Sequence, residues 1–163
     1  METCLTFLAA ERFGYTTRQN GYLLGFLGVC SIITQGYIVR RLLKNADEIR
    51  VLAGGLVATS AGLLAVGLCA RPWELYAGLA VLAFGSGLVN PSTTGLISLY
   101  SGAEEQGRVL GIFRSLGSLA RAITPVVAGA VFWGYGSRSV FIGGAALAVG
   151  ALALSGTLPR PAK

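Results

Sequence analysis

The chain has 163 residues, 53% of them hydrophobic and only 12% charged, whereas soluble domains carry about 25% charged residues. Mean hydropathy is +0.67, and the 24 glycines fit the glycine enrichment of membrane helices. The net charge of +6 comes without an aromatic-interleaved basic patch, which argues against nucleic acid as a partner, and the lack of histidine removes imidazole bases, His metal ligands and His proton relays.

Residues 1–12 read as a partial span. The apolar run 1–10 has no basic leader, so it is not a signal peptide, and it is too short to cross a bilayer. Polar residues from Glu11 to Asn20 follow at once, which predicts the final turns of a helix whose start is missing. Five longer runs come next: 21–38, 51–70, 73–99, 109–133 and 140–158. Each is near or above the roughly 20 apolar residues that cross a hydrocarbon core of about 30 Å. Apolarity is continuous through each run rather than alternating, which predicts helices and not barrel strands. The connections are brief, and Pro72 is placed to open the helix after Arg71. The fold expected is all-α and membrane-embedded.

Alternate loops fall on alternate sides of the bilayer. One side holds Arg40, Arg41, Lys44, Arg50, Arg108, Arg160 and Lys163; the other holds Arg12, Arg18, Arg71 and Arg138. The richer side is cytoplasmic by the positive-inside rule, and it includes the C-terminus. All seven acidic residues, Glu2, Glu11, Asp47, Glu48, Glu74, Glu104 and Glu105, lie away from the membrane centre. Cys4, Cys30 and Cys69 are odd in number, lack framework spacing and read as small apolar packing residues. No cluster has metal-ligand spacing, and neither a metal nor a cofactor is expected.

Arg114 and Arg121 are the only charges set well inside a full span, away from its ends. They stand seven apart, two helical turns, and share a face with Ser118. An arginine at bilayer depth costs from about 2.5 to over 10 kcal/mol if it faces lipid. Arg121, near the midplane, therefore faces either a wet, substrate-binding cavity or a structural partner, such as backbone carbonyls or an acid on another helix. Arg114 is shallower and can snorkel to the interface. In the run 73–99, Asn90 and Thr94 share a face, and Pro91 removes a backbone donor between them. Interrupted helices at the midplane are where transporters build sites; the alternative is inter-helix hydrogen bonding by Asn90 and a packing kink at Pro91. The small residues Gly54, Gly55, Gly62, Gly111, Gly117, Ala120, Ala128, Gly129, Gly143, Gly144 and Gly150 are expected to let helices approach closely.

The order Glu104-Glu105-Gln106-Gly107-Arg108-Val109-Leu110-Gly111, then the glycine-bearing stretch to Pro125, resembles the start of the eleventh helix of the major facilitator superfamily. Gly85-x-Gly87-x-x-Asn90-Pro91 is similar to that family's tenth helix, and Gln35-Gly36-Tyr37-Ile38-Val39-Arg40-Arg41 to its cytoplasmic loop motif, with Arg40 where the family has Asp. The resemblance implies a six-helix half of a twelve-helix bundle, from the end of the seventh helix to the twelfth, with the first helix truncated. It implies secondary transport of a small organic solute, an organic anion or drug, by alternating access together with an N-terminal half. Arg121, Arg114, Ser118, Asn90 and Thr94 would then bind substrate. Gly36, Arg40, Arg41, Pro91, Gly107, Gly111 and Pro125 would serve gating. The competing reading is a non-transporting short form or membrane scaffold that associates with a full-length partner. Membrane enzymology is disfavoured, because Ser115, Ser118 and Thr124 have no base within reach in the sequence.

Overall fold

The computed structural model describes residues 2–39, 41–42, 47–102 and 104–157. Arg40, Lys44, Arg160 and Lys163 lie outside the described residues. Among the described residues six longer α-helices follow in order: α1 Glu2–Phe13, α2 Thr17–Ile33, α3 Glu48–Leu68, α4 Pro72–Tyr100, α5 Gln106–Tyr135 and α6 Ser137–Ser155. The α2 helix runs on into one widened π-helical turn, Thr34–Ile38. Five of these segments, all but α1, are long and apolar enough to cross a membrane.

Local chemistry sets the ends. After α1, Gly14 adopts φ +63°, and the amides of Gly14 and Tyr15 donate to the carbonyls of Ala10 and Ala9. That is the left-handed glycine stop of a helix. Gln19 Oε1 accepts from both the amide and the hydroxyl of Thr16, at 2.9 and 3.1 Å, at the start of α2. Pro72 opens α4, and Glu74 Oε2 accepts from the amides of Ala70 and Arg71 at 2.7 and 3.2 Å. A single residue, Gly136 at φ +82°, separates α5 from α6. The helices start earlier than the apolar runs: α2 begins at Thr17 and α5 at Gln106. Apolarity marks the part of a helix that suits lipid, whereas the backbone hydrogen bonds continue into the polar residues before it.

Lipid tails are as apolar as leucine, so membrane helices gain association energy from close packing rather than from leaving water. The α3–α4 seam is built that way. A Cβ on Gly62 would stand 2.6 Å from the Leu82 nitrogen, and one on Gly85 would stand 2.3 Å from the Thr59 nitrogen. Gly55 and Gly78 complete the seam against Leu88, Val89, Ala65 and Val66. Elsewhere Gly67 admits Phe141 of α6, and Gly87 admits Thr34 of the π turn. The main core joins Leu5, Leu8 and Ala9 of α1, Leu23 of α2, Leu63 and Val66 of α3, Leu75 and Leu79 of α4, and Phe141 and Ala145 of α6.

The packing expected of the other glycines is not what forms. Side chains built at Gly54, Gly111, Gly117, Gly129, Gly143 and Gly150 would meet nothing within 4 Å. Sequence shows where small residues recur; only the crossing of helices decides which of them a neighbour approaches.

Arg12 Nη1 donates to the Cys69 carbonyl at 2.7 Å, which ties the end of α1 to the turn after α3. A cation there suits the exposed carbonyls and negative dipole of a helix C-terminus. Burial pushes the Cys69 thiol up, opposed by the neighbouring guanidinium, while burial and then the Tyr76 phenol raise Tyr15 in the preceding turn. The turns α1–α2, α3–α4 and α5–α6 therefore share one end of the bundle, and Asp47 lies at the other.

Candidate substrate-binding face

The α5 helix is the outlier of the bundle. It touches α1, α4 and α6 yet buries none of its thirty residues. Its sequence is amphipathic. Arg114, Ser118, Arg121 and Pro125 follow one line along the helix, with Gly107 and Gly111 on the same side. Ile112, Leu116, Leu119, Ile123 and Val126 occupy the opposite side and are exposed. A lipid-facing helix with no other duty has no use for the first face.

Arg114, Ser118 and Arg121 are all exposed. The Ser118 hydroxyl donates to the Arg114 carbonyl at 2.9 Å, and Thr124 donates to the Ala120 carbonyl at 2.6 Å. Among the described residues the one ion pair is Arg50–Asp47, at 3.5 Å, which involves no residue of α5. Pro125 has no N–H, so the Arg121 carbonyl also loses its helical donor four residues on. Mid-helix, the chain thus offers a cation and a carbonyl without its usual amide donor, while the serine and threonine hydroxyls stay turned onto their own helix.

The α4 candidates form a separate set. Asn90 is exposed, and its side-chain nitrogen donates to the Ser86 carbonyl at 3.3 Å. The Thr94 hydroxyl donates to the Asn90 carbonyl at 3.0 Å. Both bonds stay within α4, and among the described residues no hydrogen bond ties Asn90 to another helix. Pro91 leaves the Gly87 carbonyl without its helical donor, at the point where Gly87 receives Thr34. Among the described residues no hydrogen bond joins this set to the α5 arginines; α4 and α5 are linked instead by Gln106 donating to Ser98. Of the other gating candidates, Gly36 lies in the π turn, and Arg41 donates to the Tyr37 phenol at 3.3 Å. Arg40 lies outside the described residues.

Sequence reasoning missed a small aromatic pocket. Cys4 and Phe7 of α1 and Pro125, Gly129, Phe132 and Trp133 of α5 line a partly open depression of about 230 Å³, with Phe7 and Trp133 exposed at its rim. The Phe7 and Phe132 rings lie 6.0 Å apart at 50°; Phe132 and Trp133 lie 6.3 Å apart at 74°. The signal was there to read, since 121, 125, 129 and 132 share one face at helical spacing, but that α1 closes the pocket follows only from the fold.

Comparison with known proteins agrees with this architecture. The sequence profile of the Major Facilitator Superfamily matches residues 3–163. Major facilitator superfamily domain-containing protein 10 of Mus musculus is 33% identical over 141 residues, covering 86% of this chain and 31% of that protein. Its Bos taurus namesake is 30% identical over 163 residues, the whole of this chain and 36% of the relative. The class E tetracycline resistance protein of Escherichia coli is 30% identical over 117 residues, 72% of this chain and 29% of the relative. The crystal structure of the human organic anion transporter MFSD10 (TETRAN) superposes with a TM-score of 0.87 at 28% identity, covering 94% of this chain and 36% of that one. The chain spans about a third of the length of these relatives.

Proposed function

Because this chain belongs to the Major Facilitator Superfamily, we propose that it supplies one half of a secondary transporter that moves a small organic anion by alternating access. It is an integral, multi-pass membrane protein whose fold is a six-helix half of the family's bundle. In such folds two halves rock about a site near the bilayer midplane. The second half is an N-terminal six-helix unit, which lies against the α5 face.

The observation that carries this reading is Arg121, a charge in the middle of a span on an exposed polar face shared with Arg114 and Ser118. A cation at that depth needs a wet cavity or a partner. An anionic solute arriving from water answers both needs, and two arginines with no acid near the middle of any span set the preferred sign. One relative is an organic anion transporter and another a tetracycline resistance protein; both support an organic anion or drug as cargo. Asn90 and Thr94 add polar contacts from α4. Pro91 and Pro125 loosen the two helices, and Gly36, Arg40, Arg41, Gly107 and Gly111 work at the cytoplasmic ends during the rocking motion. No bond is made or broken, so the activity is transport and not enzymology.

Reconstitution tests the proposal. Liposomes holding the 163-residue chain alone should take up no organic anion above empty liposomes, and saturable uptake should appear when a second six-helix half is supplied. Saturable uptake by the chain alone would refute the two-half mechanism. Absence of uptake in both preparations would favour a scaffold.

The proposed orientation puts Asp47 and the C-terminus in the cytoplasm, following the excess of Lys and Arg on that side. In a version with Cys4, Cys30 and Cys69 replaced by serine, a membrane-impermeant thiol reagent should label Arg138→Cys on intact cells and Asp47→Cys only after permeabilisation. The opposite pattern would invert the topology.

A further inference from the structure

We propose that the pocket between α1 and α5 is the seat for an aromatic ring, so that the solute bound here is an aryl-bearing anion with its charge on Arg121. This rests on the anion reading above and adds the other end of the molecule.

The geometry is local and continuous. Pro125 forms one wall of the pocket and stands one helical turn from Arg121 on the same face, about 6 Å along the axis. Because side chains lean toward the start of their helix, the guanidinium can sit farther away, so the span from charge to ring is roughly 6–11 Å. The walls are chemically matched to a π-system. Phe7, Phe132 and Trp133 present tilted rings at centroid spacings of 6.0 and 6.3 Å, within the range of favourable aromatic contact. The depression is open on one side and offers about 230 Å³, against roughly 150 Å³ for a sealed apolar cavity that holds benzene, so there is room for a fused bicycle with one edge left outside. Gly129 keeps the space open. A Cβ there would meet nothing within 4 Å, so a larger side chain at 129 has room to start into the pocket and compete with an occupant.

Tryptophan emission reports on the pocket directly. The chain has two tryptophans, and Trp73→Phe leaves Trp133 alone. In nanodiscs, titration with 4-(2-naphthyl)butanoate should quench Trp133 saturably. Gly129→Leu should weaken the affinity by about tenfold or more, as loss of a ring's contacts costs about 1.4 kcal/mol or more. Phe7→Ala should weaken it in the same direction and guards against misfolding of the first variant. Arg121→Ala should weaken the acid but leave the affinity of 4-(2-naphthyl)butanol unchanged, and decanoate should compete poorly. Quenching that falls with Arg121→Ala yet ignores both Gly129→Leu and Phe7→Ala would overturn the ring seat alone and leave the anion reading standing. Quenching that falls with Gly129→Leu but ignores Arg121→Ala would overturn the anion reading and the joint site with it. Strong quenching by lipids brominated in the acyl chain, unrelieved by the naphthyl acid, would make the pocket a lipid seat and refute the proposal.

Discussion

Arg121→Ala should abolish uptake of an anionic solute while leaving the amount of protein at the membrane within about twofold of the parent, the range of a substitution that removes no packing. The guanidinium is exposed and pairs with no acid among the described residues, so its removal breaks no internal contact. What it removes is the one fixed cation at the middle of α5. Arg121→Lys should retain partial uptake, because the charge survives while the planar fork that grips a carboxylate with two hydrogen bonds does not. Arg114→Ala should be milder: it stands two turns nearer the start of α5, where a long side chain reaches the interface. Radiolabelled uptake together with surface biotinylation separates the outcomes. Normal uptake by Arg121→Ala would remove the substrate role. Loss of the protein from the membrane would instead make Arg121 a structural residue.

Gly85→Ala should be among the most damaging single-methyl changes in the chain. The added Cβ would lie 2.3 Å from the Thr59 nitrogen and 2.8 Å from the Ala58 carbonyl carbon. These are backbone atoms of the facing helix, and no rotamer change can move them. The α3–α4 seam must open along its length, which parts Gly62 from Leu82 and Gly55 from Leu88. Overpacking costs about 1–3 kcal/mol where side chains can adjust, and more is expected here because they cannot. Gly111→Ala is the matched control. Nothing lies within 4 Å of its Cβ, and alanine favours the helix by up to about 1 kcal/mol. In detergent, Gly85→Ala should melt far below the parent or fail to accumulate, whereas Gly111→Ala should melt at or above it. Equal melting temperatures for the two variants would refute the seam.

These two residues show what a sequence can and cannot reveal. The helical, membrane-embedded class follows from continuous apolar runs, because the bilayer requires such runs wherever the backbone must satisfy itself. Arg121 is legible for the complementary reason: a charge inside an apolar run is expensive and stands out. Gly85 is not legible as a packing residue. It looks no different from Gly111, and only the crossing of α3 and α4 separates the tight site from the open one. The pocket at Phe7 and Trp133 was hidden similarly, since its walls are more than a hundred residues apart. The intra-helix hydrogen bond of Asn90 to Ser86 was not legible either, because an amide's own helix competes with every neighbour for it.

Thiol accessibility at Ser118 tests most directly whether the arginine face of α5 lines an anion path. In a cysteine-free background, Ser118→Cys lies between Arg114 and Arg121, whereas Leu119→Cys lies on the apolar side of the same turn. In membranes of cells making the protein, a negatively charged methanethiosulfonate should modify Ser118→Cys faster than its positively charged counterpart, and a transported organic anion should slow that reaction. Leu119→Cys should react poorly with both reagents and show no protection. Equal reactivity at the two positions, or a preference of Ser118→Cys for the cationic reagent, would contradict the account.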